Sequence, residues 1–211
     1  MRPQTVHLFV FDSLADWEAS YAIAGINSPA MPAAAGRYQV QTVGLSHAPV
    51  TTMGGVRILP DLALEELEPA ASALLIVPGG TRWDAGELSE VMPVVARFLA
   101  AGVPVAAICG ATAGLARAGL LDRVRHTSNA AAYLQATGYA GAALYQEAGV
   151  VEDGGIITAG ATGALEFAAQ IFRRLDLYPE AVTESWYQLF KTGDPAHVAR
   201  LMVAARAAVE E

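Results

Sequence analysis

Four apolar runs, each closed by turn residues and followed by a helical pattern, constrain the fold of this chain most strongly. They cover residues 5–11, 38–46, 73–80 and 103–109. Their largely apolar, β-branched composition is typical of strands that are buried on both faces. Amphipathic segments over residues 88–102 and 163–177 predict helices beside them. Strands that alternate with helices of this length predict an α/β fold with a mostly parallel sheet covered on both faces.

The rest of the chain adds shorter elements to this framework. Hairpins are predicted around residues 54–55 and 153–155, where glycines interrupt β-branched sequence. A helix is predicted from Ser13, which would be its N-cap, and a short helix is predicted over residues 62–69. Two more helices are predicted after Pro179. We therefore expect one domain over residues 1–178 and a C-terminal helical extension of the same domain over residues 179–211.

Composition and charge argue against several classes of protein. Apolar residues make up 54% of the chain and charged residues 16%, which suits a large core rather than disorder. The formal net charge of −8 argues against a nucleic-acid or membrane partner, since both need patches of Lys and Arg. The sequence shows no membrane span and no signal-peptide pattern. Because a single cysteine also excludes an internal disulfide, we expect a cytoplasmic protein.

Cys109, the only cysteine, ends one predicted strand directly before a predicted helix. The partial positive charge of a helix N-terminus stabilises a thiolate, so this position predicts a lowered pKa for the thiol. The small residues after Cys109 leave room for a sharp strand-to-helix turn, the geometry of a nucleophile elbow. The alternative is a small core residue, since free cysteine is among the most buried residue types. The residues of this stretch leave both interpretations open.

A glycine turn ends the neighbouring strand at the same edge of the predicted sheet. The amides of Gly79 and Gly80, together with the amide of Gly110, are predicted to form an oxyanion hole for a group bound at Cys109. The alternative is an ordinary strand-end turn, which proline and glycine mark in many proteins.

The loop after this turn carries an arginine and a tryptophan. Arg82 is predicted to bind a substrate carboxylate in bidentate fashion, and Trp83 to form a wall of the pocket. The alternative for Trp83 is an anchor that packs into the core. The histidines have no metal-ligand spacing with acidic residues, and the glycines after Cys109 lack dinucleotide-binding spacing. We therefore expect a small-molecule substrate, no metal and no cofactor.

The segments LLIVPGG, VPVAAICGATAGLARAGLL and IITAGATGALEFAAQIF resemble, in this order, the ThiJ/PfpI superfamily of class I glutamine amidotransferase-like proteins. The resemblance covers residues 6–177 and implies a flavodoxin-like three-layer sandwich that forms a homodimer. Members include amidases, proteases, glyoxalase-like and deglycase-like enzymes, isonitrile hydratases and redox-responsive stress proteins. The resemblance also implies that Cys109 is the nucleophile and that Glu18 is a protonated acid hydrogen-bonded to its sulfur. Without it, Glu18 would be interpreted as a first-turn acid that complements the helix dipole.

Three positions depart from the family pattern. Ala111 stands where many members have glycine, and Gly110 stands where hydrolytic members often have histidine. Asn129 lies twenty residues after Cys109, where other members have a histidine, and an amide is not a general base. His126 precedes Asn129 by three residues, so in an extended segment the two side chains point to opposite faces. We therefore expect Asn129 to line the pocket and His126 to point away from it.

Three functions remain open on these observations. The first is a cysteine-dependent hydrolase, amidase or glyoxalase-like enzyme that acts on a small carbonyl or amide compound through Cys109. The second is a redox- or electrophile-responsive stress protein in which Cys109 is oxidised and Glu18 stabilises the product. The third is a binding protein with an inert thiol. The missing histidine weakens the first interpretation for amides, because an amine leaving group needs a proton donor.

Overall fold

The apolar runs form the strands of one seven-stranded sheet, with a small separate hairpin beside it. The structure is a computed structural model and describes residues 3–31 and 34–210. The strands in chain order are β1 (Gln4–Phe9), β2 (Tyr38–Gly44), β3 (Val50–Thr51), β4 (Arg57–Ile58), β5 (Leu62–Ala63), β6 (Leu74–Val77), β7 (Val105–Ile108), β8 (Val150–Asp153) and β9 (Ile156–Ala159). The large sheet has the order β5-β2-β1-β6-β7-β9-β8, and β3 pairs only with β4.

Helices connect these strands and follow them. They are α1 (Asp16–Asn27), α2 (Thr81–Asp84), α3 (Val91–Ala100), α4 (Gly110–Arg117), α5 (Ala131–Gln135), α6 (Ala164–Arg174), α7 (Glu180–Thr192) and α8 (Ala196–Glu210). Helices α1 and α6 pack together, α7 packs on α6, and α8 packs on α7. Helix α2 packs against α4. No helix in the described part of the chain is long and apolar enough to cross a membrane.

The centre of the sheet explains why its strands are so apolar. All neighbouring strands are parallel except the edge pair β8–β9, which is antiparallel. Every residue of β6 and β7 is buried, which requires a cover on both faces of the sheet. The parallel arrangement brings the carboxyl ends of β1, β6, β7 and β9 to one edge, where a site is expected in an open α/β sheet. The predicted flavodoxin-like α/β fold with a helical C-terminal region is confirmed.

Two predicted boundaries are wrong because distant contacts override local sequence. Helix α1 begins at Asp16 rather than after Ser13, since Ser13 has a positive φ of 72° and its N–H donates to Thr51 O at 2.9 Å. Asp16, the first residue of α1, accepts a hydrogen bond from Thr52 Oγ1 at 2.6 Å. Residues 62–69, predicted as one short helix, contain β5 and one 3₁₀ turn, and a second 3₁₀ turn begins at Pro69. Both hairpins and the two tail helices are confirmed.

Candidate active site

Cys109 lies on a sharp turn between β7 and α4, as the small residues around it predict. Its φ of 56° and ψ of −124° lie outside the usual regions for a residue with a side chain, which costs about 1–3 kcal/mol. Backbone hydrogen bonds hold this conformation from both sides. The Cys109 N–H donates to Ala159 O at 2.9 Å, and the Cys109 carbonyl accepts from Thr112 Oγ1 at 2.6 Å. The sulfur therefore stands at the carboxyl edge of the sheet.

Glu18 lies beside this sulfur, in the first turns of α1. Only 1% of the residue is exposed, and its Oε2 accepts a hydrogen bond from the Gly79 N–H at 2.5 Å. Its Oε1 is buried without a hydrogen-bond partner in the described part of the chain. Burial raises the pKa of Glu18 to about 7, although hydrogen bonds with Cys109 and Gly79 act in the opposite direction. The carboxyl group therefore exchanges its proton near neutral pH.

The thiol of Cys109 does not have the lowered pKa that the helix N-terminus predicts. Burial, and then the charge of Glu18, raise the pKa of Cys109 to about 12, while hydrogen bonds from Asn129 and Gly110 lower it. The prediction is wrong because burial and a nearby carboxylate outweigh the partial charge of about one half at a helix end. Since Glu18 and Cys109 interact directly, their protons belong to the pair rather than to either residue.

The glycine turn after β6 supports the carboxyl group as well as the thiol. A Cβ at Gly79 would lie 2.7 Å from Cys109 Cβ and 2.8 Å from Glu18 Oε2, so only glycine fits. The Gly79 N–H donates to Glu18 and is not free for an oxyanion, which differs from the predicted role. A Cβ at Gly80 would lie 2.5 Å from Ser13 O, so Gly80 is also closely packed. The amides of Gly80 and Gly110 are the remaining candidates for the oxyanion hole.

Asn129 contacts the thiol from the other side, where the site is open. Its Nδ2 donates to Cys109 Sγ at 3.4 Å, and its Oδ1 accepts from the Ala161 N–H at 2.9 Å. The second hydrogen bond sets the orientation of the amide, because Oδ1 is the group that can accept it. The loop before Asn129 is tied to the elbow, since the hydroxyls of Ser128 and Thr112 are 2.6 Å apart. Asn129 is thus positioned by the same network that holds Cys109.

His126 points away from the sulfur, in agreement with the alternation argument. Its Nδ1 is 2.8 Å from Val124 O and its Nε2 is 2.9 Å from Tyr139 Oη. The side chain is fully buried and its ring packs edge-on against Tyr139 and Tyr145. No hydrogen bond shown for residues 3–31 and 34–210 joins a histidine to Cys109. The site therefore offers a carboxyl group and an amide, but no imidazole, to the thiol.

Arg82 and Trp83 do not occupy the positions predicted for substrate binding. Arg82 Nε donates to Glu87 Oε2 at 2.5 Å, and the side chain borders a separate cavity near Asp12. Trp83 is 1% exposed, and its Nε1 donates to Pro78 O at 2.9 Å. The indole ring packs under α4. The alternative considered for Trp83, an anchor in the core, describes its surroundings.

A tyrosine–aspartate pair near the site was missed by the sequence reasoning. Tyr133, in α5, donates a hydrogen bond to Asp84 Oδ1 at 2.6 Å. Burial and Asp84 raise the pKa of Tyr133, and a charge on Cys109 raises it further. The only sequence signal was the closeness of Tyr133 to Asn129 along the chain. Among the residues that the structure describes, no group of three or more His, Cys, Asp or Glu is arranged to hold a metal ion.

A polar cleft of about 470 Å³ opens beside Asn129. Its walls come from the loop after β9 and from the loops around Asn129 and before β8. They include Ser128, Asn129, Tyr145, Glu147, Ala161 and Thr162. Asn129 lines this cleft and also contacts the sulfur, whereas Cys109 is not among the lining residues.

The fold and the site together define a flavodoxin-like α/β protein with a cysteine at a strand-to-helix elbow beside a buried glutamate. A sequence model of the DJ-1/PfpI family matches residues 4–174, and the chain belongs to this family. The resemblance inferred from the sequence motifs is thereby confirmed.

Three similar proteins show what the family contains. The chain is 37% identical over 212 residues to "Uncharacterized protease YoaZ" of Bacillus subtilis (strain 168), covering 96% of this chain and 98% of that protein. It is 32% identical over 147 residues to "Glutathione-independent glyoxalase DJR-1.2" of Caenorhabditis elegans, covering 67% and 75%. The crystal structure of a thiJ/pfpI family protein from Bacillus anthracis superposes with a TM-score of 0.89 at 37% identity, covering 97% and 98%.

Proposed function

We propose that the protein is a cysteine-dependent enzyme of the glyoxalase-like type, which converts small 2-oxoaldehydes through Cys109. The observation that carries the proposal is the composition of the site. A buried carboxyl group with a pKa near 7 contacts the thiol, and the nearby His126 is bonded elsewhere. This set of groups suits addition to an aldehyde, because no amine leaving group has to be protonated.

In the proposed reaction, Cys109 Sγ adds to the aldehyde carbon and forms a C–S bond. The π electrons of the carbonyl move to oxygen, and the thiol proton moves to the Glu18 carboxylate. Glu18 returns this proton to the oxyanion, which gives a hemithioacetal. Through an enediolate, the proton on the first carbon then moves to the second carbon, and the hydroxyl proton of the first carbon moves to the oxygen of the second. This gives a thioester of a 2-hydroxy acid, and water hydrolyses it to release the acid and the thiol. The net change adds one water to the substrate and needs no oxidant or reductant.

The remaining polar groups of the site have supporting roles in this proposal. The amides of Gly80 and Gly110 stabilise the oxyanion, and Asn129 orients the sulfur and the substrate. Gly79 acts through Glu18, since its N–H donates to that carboxyl group. Arg82 and Trp83 are left outside the reaction because neither faces the thiol in an accessible position.

An amidase or protease function is less well supported by the groups around Cys109. Cleavage of an amide needs a proton for the departing amine, and general acid assistance is typically worth about 10²–10⁴-fold. The name of the YoaZ relative contains the word protease, and hydrolysis of peptides belongs to the test for that reason. We expect peptides and simple amides to be cleaved slowly by this protein.

The experiment is a comparison of substrates with matched variants. Purified protein is incubated with methylglyoxal, and the formation of lactate is followed together with the cleavage of a peptide and of glutamine. We expect lactate to form, Cys109→Ser to abolish it, and Glu65→Gln to leave it unchanged, since Glu65 is exposed directly after β5, an edge strand four places from β7 in the order of the sheet. Peptide cleavage without lactate formation would overturn the proposal, and so would no turnover of any substrate.

A second function is favoured by one observation, the buried Oε1 of Glu18 that has no hydrogen-bond partner in the described chain. A sulfur oxygen on oxidised Cys109 would give a protonated Glu18 a partner. Peroxide would oxidise the thiol to sulfenic acid with release of water, and a second peroxide would give the sulfinic acid. Intact mass after dilute peroxide tests this function. A gain of two oxygens in wild type but further oxidation in Glu18→Leu would support it, and equal oxidation in both would contradict it.

We also propose that two copies of the chain associate. Trp17 and Phe190 are each about half exposed, at 52% and 50%, and association of two copies would give these side chains apolar contacts. Symmetric pairing is the commonest way for soluble proteins to cover such surfaces. Sedimentation at micromolar concentration tests this proposal. A dimer is expected, and a monomer would contradict it.

A further inference from the structure

Charge is distributed unevenly among the residues that line the cleft beside Asn129. Glu147 is the only charged side chain among the described residues that line it, and its carboxylate is exposed. The remaining lining groups are hydroxyls, backbone atoms and the amide of Asn129. We propose that the cleft holds a positively charged end of the substrate, an ammonium or guanidinium group, in electrostatic contact with Glu147, and disfavours carboxylates and phosphates.

In this proposal the cleft and the thiol form one site, although Cys109 itself does not line the cleft. Asn129 lies between them, with Nδ2 on the sulfur and Oδ1 on the N–H of Ala161, which lines the cleft. The segment that follows β9 continues directly from Ala159, which accepts the hydrogen bond of the Cys109 N–H. A substrate whose carbonyl carbon lies at Sγ therefore extends its other end into the space bordered by Glu147.

Arg82 in α2 and Arg117 in α4 are both already engaged in other contacts. Arg82 is paired with Glu87, with Nε and Oε2 2.5 Å apart. Arg117 donates from Nη1 to Trp83 O at 2.8 Å and lines a different, largely apolar cavity. Neither arginine lines the polar cleft. Arg82, which was predicted to bind a substrate carboxylate, therefore does not face this cleft.

The N-terminus of α6 favours anions in the cleft and so opposes the effect of Glu147. Helix α6 begins at its wall, after Gly163, and a helix N-terminus carries about half a positive charge. A full carboxylate charge is about twice as large, whereas Glu166 in the first turn of α6 is paired with Lys191, whose Nζ lies 2.7 Å from Glu166 Oε1, and adds little. The formal net charge of −8 reinforces the same sign over the whole molecule. The local field in the cleft is therefore negative.

The inference rests on the proposed function only in assuming that substrates approach Cys109 through this cleft, and its test does not need turnover. Cys109 is the single cysteine, so thiol reagents report on this site alone. Aminoethyl and sulfonatoethyl methanethiosulfonate are similar in size and opposite in charge. In each case the sulfur of Cys109 attacks the sulfenyl sulfur, a disulfide forms, and methanesulfinate leaves. Modification rates are measured at one pH and divided by the rates with free cysteine.

We expect the ratio of the cationic to the anionic modification rate, each normalised to free cysteine, to be about fivefold higher in wild type than in Glu147→Gln. One carboxylate roughly 8 Å from the sulfur would produce an effect of about this size in water. Glu65→Gln, an exposed change at the far edge of the sheet, is expected to keep the wild-type ratio. The wild-type preference is expected to vanish in about 1 M salt, where the Debye length is about 3 Å.

Two results would overturn the inference. One is an equal ratio in wild type and Glu147→Gln, which would mean that Glu147 does not act on molecules approaching the thiol. The other is a preference of the wild type for the anionic reagent, which would mean that the amide end of α6 dominates the cleft. If the wild-type protein does not turn over methylglyoxal but prefers the cationic reagent as expected, the proposed reaction is contradicted and the charge selectivity of the cleft is supported.

Discussion

The two sides of Cys109 differ in burial and in chemistry. On the inner side, Glu18 is 1% exposed and is held by the Gly79 N–H, where a Cβ at Gly79 would not fit. On the outer side, Asn129 is exposed and donates a longer hydrogen bond of 3.4 Å to the sulfur. The inner side controls where the proton of the pair resides. The outer side controls which molecules approach.

The largest expected effect is on the inner side, from the change Glu18→Gln. The amide keeps the shape of the side chain but cannot accept the thiol proton, so turnover should fall by about 10²–10⁴-fold. The rate of lactate formation from methylglyoxal measures this loss. Glu65→Gln serves as the control and should retain wild-type turnover. A Glu18→Gln protein with near-normal turnover would show that the carboxyl group only supports the fold.

The second largest effect is expected on the stability of the fold, when one glycine on each side of Cys109 is replaced by alanine. Gly79→Ala places a methyl group 2.8 Å from both Glu18 Oε2 and the Gly110 nitrogen, and overpacking of this kind costs about 1–3 kcal/mol. Gly149→Ala, in the outer cleft, places its methyl group at the longer distance of 3.1 Å from Glu166 Cγ, a side-chain atom and not part of the backbone. Urea unfolding should show a clear loss of stability for Gly79→Ala and a small change for Gly149→Ala. Equal losses would remove the distinction in packing between the two sides.

The smallest effect is expected from the outer amide. Asn129→Ala removes one hydrogen bond to the sulfur, which is worth about tenfold or less in turnover. Asn129→His adds a proton donor at the same place, so cleavage of amides should rise above the wild-type rate while Asn129→Ala shows no such gain. Steady-state rates with methylglyoxal and with a peptide measure both changes. A loss of more than about a hundredfold in Asn129→Ala would place a catalytic group on the outer side as well.

The sequence was sufficient for the framework and for the elbow. The apolar runs before Pro78 and Cys109 predict buried parallel strands, because few other elements have such short, uncharged, β-branched sequences. The small residues after Cys109 predict a turn that backbone hydrogen bonds then hold. Both predictions depend on local sequence, and the structure confirms both. The two-residue strand β5 was missed because two residues carry no periodicity.

The parts of the site that were misjudged depend on partners distant in the chain. Arg82 was expected to face a substrate, but Glu87 takes its guanidinium. The Gly79 amide was expected to face an oxyanion, but Glu18, 61 residues away, accepts its hydrogen bond. The pKa of Cys109 rises because burial and Glu18 act together, and neither is visible in the residues around the cysteine. Such competition for a donor or a charge is decided by the tertiary structure.

The central claim is that Glu18 and Cys109 act as one titrating pair, and the pH dependence of Cys109 alkylation tests it most directly. Iodoacetamide rates are measured from about pH 5 to 10 for wild type and Glu18→Gln. The pair loses its first proton near pH 7, whichever atom keeps the second, so the wild-type rate should rise through about pH 7 and then level off. Glu18→Gln should show no step there and react only as the buried thiol ionises at higher pH. The same profile in both proteins, or a wild type without a step near pH 7, would contradict the account.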